Sequence, residues 1–259
     1  MSTNQKSKPV QSDVNPFELL TGKELDKVKA DHTHIYGHGR KCKTDSRGYA
    51  NPKNKGPLEL IVDASDGYIP LWANGTTLRW RFQKSSLAVF ANPDAAKSVT
   101  RKLLGEALLA WGDAVPVKFA EREDNWDFEI PILKSDDCEN NSCTLAKAFF
   151  PSSGQHELLI YPKMFTQSAK EQVDTLAHEL GHIFGLRHFF ALISEKEWPA
   201  QVFGTHKPFS IMNYGAQSEI TSDDRIDLKE LYRLAWNREL TNINKTPVRL
   251  TQPHHLSGA

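Results

Sequence analysis

The chain has 259 residues with 32 basic and 32 acidic side chains, so no net charge steers it toward nucleic acid or an anionic membrane. Apolar residues make up 39%, including 13 Phe and 6 Trp, which excludes a disordered chain and suits one domain with an appendage. No apolar run reaches the roughly 18 residues of a membrane-spanning helix, and the polar start Met1–Lys6 lacks the apolar core of a signal peptide. The expectation is a monomer without a membrane span, cytoplasmic as the chain stands, with export by a non-classical route as the alternative.

Residues 1–58 are polar, punctuated by Pro9, Pro16, Pro52 and Pro57, and carry 11 Lys/Arg against 6 Asp/Glu. They suggest one helix near Phe17–Lys29 and either a solvated tail or a basic segment lying on an acidic body. Leu78, Trp80 and Phe82 alternate with Arg79 and Arg81 as in a half-buried strand. Asn92-Pro93 then reads as an N-cap with proline at the first helical position, and Val99 to Trp111 continue at helical spacing until Gly112. Val117 with Phe119, Phe128 to Ile132, Leu145 to Phe149, and Leu158 to Tyr161 read as four further strands. A second helix starts near Ser168, with Glu171 placed for a capping box, and Gly185 is suited to stop it. A third runs from about Asp223 to Arg238. The order predicts an α+β domain: a twisted, mixed, five-stranded sheet with two long helices packed on it and a C-terminal helix. Residues 1–75 read as an N-terminal extension, 76–240 as the domain and 241–259 as a tail in which His254 and His255 fray.

The chemistry concentrates in His178-Glu179-Leu180-Gly181-His182-Ile183-Phe184-Gly185-Leu186-Arg187-His188. His178 and His182 stand one helical turn apart and project from one face, so two imidazoles reach one ion. Glu179 is too close in sequence to be a comfortable third ligand but can reach a metal-bound water. Gly185 lets the chain turn back so that His188 supplies a third nitrogen. Three protein ligands leave one tetrahedral position open, the arrangement of a catalytic zinc. The rival readings are a zinc hydrolase of a non-protein amide and a non-enzymatic zinc-binding module, which would close the metal with a fourth protein ligand.

This run resembles the H-E-x-x-H-x-x-G-x-x-H signature of the metzincin zinc endopeptidases. That resemblance implies a turn containing Met212 as a hydrophobic floor under the histidines, within Ser210-Ile211-Met212-Asn213-Tyr214-Gly215. The chain is also similar to the matrixins over roughly residues 76–236. By that similarity Ala146, Lys147, Ala148 and Phe149 belong to an edge strand that binds extended peptide. It departs from the matrixins at Phe189, where they usually have Ser or Thr, and at Tyr214, which stands two residues past Met212 as in astacins and serralysins. There the tyrosine ligates zinc and swings to stabilise the transition state. The implied function is hydrolysis of peptide bonds in extended protein substrates, with Glu179 as general base and Tyr214 as a further donor.

Three further signals each keep two readings. Cys42 is either a latency ligand for the open zinc position, making residues 1–75 a pro-segment, or an ordinary thiol; His32, His34 and His38 beside it are either a second metal site or a polar tail. Asp136, Asp137, Glu139, Asn140 and Asn141 form either a calcium loop or a plain surface loop. Cys138 and Cys143 bracket that loop, as a small disulfide or as two thiols.

Overall fold

The computed structural model describes residues 15–20, 60–64, 66–139, 142–187, 200–203, 210–212 and 219–257. Its strands are β1 (Leu60–Asp63), β2 (Ile69–Trp72), β3 (Thr77–Phe82), β4 (Lys118–Glu121), β5 (Phe128–Ile130), β6 (Asp137–Glu139), β7 (Ser142–Thr144), β8 (Ala146–Lys147), β9 (His156–Glu157), β10 (Leu159–Ile160), β11 (Ala200–Phe203), β12 (Asn242–Ile243) and β13 (Thr246–Thr251). The helices are α1 (Lys84–Leu87), α2 (Pro93–Trp111), α3 (Ala169–Ile183), α4 (Ser222–Trp236) and α5 (His254–Ser257).

β3 is the centre of the main sheet. Its alternate residues Leu78, Trp80 and Phe82 are buried, and it pairs in parallel with β4 on one side and β5 on the other. β9 continues in parallel beyond β5. The same ladder runs on through β10, because Leu158 N–H donates to Glu129 O at 2.9 Å and Ile160 N–H to Pro131 O at 3.0 Å. β8 pairs antiparallel with β10 on the outer side. The result is five rows, four parallel and one antiparallel, with the fourth broken into two short strands. The expected mixed five-stranded sheet is therefore present, although its edge strand pairs over only two of the residues expected from Leu145 to Phe149.

Helix α2 begins where the sequence predicts, with Asn92 Oδ1 accepting from Ala95 N–H at 3.0 Å and Pro93 at the first helical position. It lies against α3, and Trp111 at its end is fully buried. Phe184, just past α3, meets the Trp111 ring at 5.8 Å and the Phe119 ring at 6.3 Å, and Phe119 meets Phe128 at 6.2 Å. One apolar cluster thus joins the helices to the sheet.

Three stretches differ from expectation. Phe17 begins no helix: Asn15 Oδ1 accepts from Phe17 N–H at 3.0 Å, which holds a turn, and Leu19 forms an antiparallel bridge with Phe90. Residues 21–29 lie outside the described residues. Residues 60–72, expected in the N-terminal extension, carry β1, antiparallel to β11, and β2, parallel to β13. The C-terminal residues, expected as a tail, form the β12–β13 hairpin, whose turn residues Asn244 and Lys245 both have positive φ. Cys138 and Cys143 are disulfide-bonded across the β6–β7 hairpin.

His255 is not frayed. Its backbone N–H and its Nδ1 both reach the Asp127 carboxylate, at 2.9 Å, and Asp127 also accepts from Arg79 N–H at 2.7 Å. Asp127 is 1% exposed, so loss of the imidazole would leave a buried carboxylate short of a donor. His255→Ala is expected to lower the unfolding free energy by about 1–3 kcal/mol, read from the urea midpoint; an unchanged midpoint would return the segment to a tail.

Candidate functional site

Helix α3 is fixed at both ends. At its start Ser168 Oγ accepts from Glu171 N–H at 3.3 Å, and Glu171 Oε2 accepts from Ser168 N–H at 2.9 Å, completing the capping box. At its end Gly185 N–H donates to His182 O and Leu186 N–H to Gly181 O, both at 2.9 Å, a Schellman closure. Gly185 has φ +91°, and a Cβ there would lie 3.1 Å from Pro70 O, so conformation and space both demand glycine. The last carbonyls also find side-chain donors: Trp72 Nε1–H to Ile183 O at 2.7 Å and Tyr232 Oη–H to Phe184 O at 3.0 Å. Burial pushes the Tyr232 hydroxyl pKa well up, which keeps it a donor. Asp63 N–H donates to Gly185 O at 2.9 Å, and Val62 bridges Leu186. The strands at 60–72 thus brace the turn that follows the helix.

His178, Glu179 and His182 lie on this helix at 7%, 7% and 1% exposure. His178 Nδ1 is 2.7 Å from Ile211 O, and His182 Nδ1 is 2.8 Å from Leu186 O. A carbonyl oxygen can only accept, so each Nδ1 carries a proton and each ring presents its Nε2 to the other. The two Nε2 atoms are 3.2 Å apart. Two imidazole nitrogens converging at that separation can serve one cation. The spacing matches two nitrogens at about 2.0–2.1 Å from one zinc ion. The donor chemistry therefore fits the metal that the motif implies. Among the described residues no third His, Cys, Asp or Glu joins them. His188 lies outside those residues, as do Tyr214, Cys42 and His32, His34 and His38.

Met212 is 2% exposed and lies against Gly181, on the helix between the two histidines. Any Cβ at Gly181 would overlap Met212 Sδ and would lie 3.2 Å from its Cε and 3.5 Å from Trp111 Cζ2. Trp111 Nε1–H in turn donates to Ala177 O at 2.8 Å. The turn carrying Met212 is tied to α4. Ser210 Oγ accepts from Met212 N–H at 3.1 Å and donates to Asp224 Oδ1 at 2.6 Å, while Asp224 Oδ2 accepts from Thr221 N–H at 2.9 Å. The carbonyl that orients His178 thus belongs to a turn held by the N-cap of the next helix.

The segment expected to bind peptide divides. Ala146 and Lys147 form β8, and Lys147 pairs with Asp137 at 3.0 Å. Ala148 is buried, and Phe149 packs inward, stacked on His156 at 4.3 Å and tilted against Phe128 at 5.3 Å. Burial lowers the His156 pKa to about 4, so the stack stays neutral at ordinary pH. Phe150, the next residue of that segment, meets the His182 ring edge-on at 5.5 Å, and Arg187 lies over it at 6.0 Å. The carboxylates of the expected calcium loop have protein partners: Asp136 accepts from Lys163 N–H at 2.7 Å and Asp137 holds Lys147. Calcium has no support among the described residues. Other residues that sequence reasoning missed are Ile211 and Leu186, which act through carbonyls and leave no side-chain signal. Trp72 was missed too, and so was the part that Tyr232 plays at the end of α3.

The Gly181–Met212 contact generates a prediction. Gly181→Ala forces the buried thioether aside and is expected to destabilise the fold by about 1–3 kcal/mol. Combining it with Met212→Ala should recover part of that loss, so the double-mutant cycle in urea should give a coupling of about 1 kcal/mol or more. Strict additivity would separate the two residues.

Comparison with known proteins follows from this geometry. The matrixin family profile matches residues 71–233, well over half of the chain. A search of curated protein sequences returns no match. Among solved structures, "Structure of myroilysin" aligns with 66% of this chain and 98% of that chain, at 14% identity and a TM-score of 0.45, too low to carry an argument. The matched region begins inside β2 and runs through α3 to α4, and on that extent the chain belongs to the matrixin family of zinc metallopeptidases.

Proposed function

We propose that this chain is an endopeptidase that cleaves extended polypeptides, with His178, His182 and His188 holding one zinc ion and Glu179 as general base. The observation that carries the reading is the pair of Nε2 atoms 3.2 Å apart, each ring locked by an Nδ1–H bond to a main-chain carbonyl. Bound there, zinc supplies Lewis acidity and a water of lowered pKa. Glu179, in the same buried stretch of α3, takes the proton from the attacking water and returns it to the leaving amine nitrogen. Tyr214 donates its hydroxyl to the developing oxyanion. Substrate lies extended along Ala146–Lys147 by strand addition, a placement supported by β8 standing last in strand order among the described residues. Phe150 walls the His182 end of that path. Met212 is the apolar floor between the histidines.

The test is digestion of a proteome-derived peptide library by the purified full chain and, should that chain be latent, by a chain shortened at its N-terminus. Elemental analysis is expected to find one zinc per chain, and chelation should abolish cleavage until zinc is restored. His182→Ala should lose the metal. Glu179→Gln should keep metal and fold but lose nearly all turnover, because the carboxylate moves the proton and does not hold the ion. Full zinc in His182→Ala would refute the ligand assignment, and ready hydrolysis by Glu179→Gln would point to another base. Cleavage of a non-protein amide without any library peptide would replace the substrate class.

Tyr214→Phe is expected to lower kcat by about 10²–10³ and kcat/KM in step, as for a donor used only in the transition state. An unchanged kcat in steady-state assays would leave Tyr214 outside the chemistry.

A further inference from the structure

A short stretch of the N-terminal region meets the body far from the histidines. Asn15 and Pro16 turn the chain: Asn15 Oδ1 accepts from Phe17 N–H at 3.0 Å and Asn15 O from Glu18 N–H at 3.2 Å. The next residues lie antiparallel to the connector between α1 and α2. Leu20 N–H donates to Val89 O and Ala91 N–H donates to Glu18 O, both at 2.7 Å, with Leu19 opposite Phe90. The Phe17 ring stacks on Phe165 with centroids 3.6 Å apart and planes at 21°, and meets Phe90 edge-on at 6.2 Å. Phe90 is 3% exposed, so its ring is a fixed wall.

Main-chain pairing with one aromatic side chain held between two rings is how proteins bind extended peptides. The Asn-Pro turn presets the approach and reduces the entropy lost on docking. Glu18 and Leu19 face solvent and add little. Phe165 sits just before the cap of α3, and the rise of the helix puts that cap roughly 20 Å from His182. The contact is thus separate from the metal-binding end.

We propose that the backbone of Val89–Ala91 and the rings of Phe90 and Phe165 form a peptide-docking groove outside the catalytic site, that its occupant is this chain's own Asn15–Leu20, and that Phe17 is the anchor. The groove holds the N-terminal region on the body by non-covalent contact, so the hold survives a break in the chain between residues 21 and 59. The proposal does not depend on the peptidase reading.

The test uses the full chain with a recognition site for an unrelated specific protease inserted within residues 21–59. After cutting, gel filtration in native buffer measures how much N-terminal fragment travels with the body. The parent fragment should be retained, and Phe17→Ala should reduce retention tenfold or more, on the order expected for loss of a stacked, half-buried ring. A cooperative thermal melt of the body freed of its Phe17→Ala fragment shows that it is folded. A second arm needs no variant protein: excess free peptide spanning Asn15–Leu20 should displace the parent fragment, while the same peptide carrying Phe17→Ala should not. Release of the parent fragment on cutting, equal retention of the Phe17→Ala fragment, or equal displacement by both peptides would overturn the proposal.

Discussion

The conformation of Gly185 is the constraint on which the site depends. At φ +91° the chain leaves α3 abruptly, so Leu186 returns beneath the helix and its carbonyl reaches His182 Nδ1 at 2.8 Å. A side chain at this position would meet Pro70 O as well as adopting a disfavoured backbone. A helix that continued would carry Leu186 away, and His182 would lose the acceptor that fixes its tautomer. Ending a buried helix exposes carbonyls to an apolar environment, which is costly unless donors arrive. They come from far apart in sequence: Trp72 from β2, Tyr232 from α4, and Asp63 N–H from β1. Trp72 and Tyr232 are also bonded to each other, Trp72 N–H to Tyr232 Oη at 3.3 Å, so the end of the helix is held by one connected group of bonds.

The other histidine is held from the opposite direction. His178 depends on Ile211 O, and the turn carrying Ile211 is secured by Ser210 to Asp224, the residue that also closes the capping box of α4. Asp224 therefore serves a local purpose and a long-range one with its two oxygens. The close contact of Met212 with Gly181 sets the depth of this turn against α3. Buried polar groups in such an arrangement have few alternative partners, so the geometry is sharply defined.

The parts legible in sequence are those set by local rules. The i, i+4 spacing of His178 and His182, the capping box at Ser168, the Asn92-Pro93 start and the stop at Gly185 each involve residues within a few positions. Alternation in β3 was equally visible. What was not legible depends on pairing across the whole chain. β2 is parallel to β13, with Ile69 opposite Val248, and no local pattern announces a partner so distant. For that reason residues 60–72 read as an extension and 241–257 as a tail, although both complete the body. His255 looked like a tail residue because the acceptor that it needs, Asp127, lies 128 positions away. The edge strand read too long because Phe149 fits a strand pattern as well as it fits the core position it occupies against Phe128.

The bonds that orient the two imidazoles also fix the electrostatics of the place they face. Each carbonyl takes an Nδ1–H, so the two Nε2 atoms are held facing each other 3.2 Å apart. Rotation of either ring would break its bond to a buried carbonyl. The scaffold thus holds two nitrogens at a separation that one cation would fit. Binding of an ion there would be linked to folding, because the residues that carry the two nitrogens also keep α3, the Gly185 turn and the Met212 turn in register. The fold orients both imidazoles in advance, which would spare these two donors rearrangement on binding.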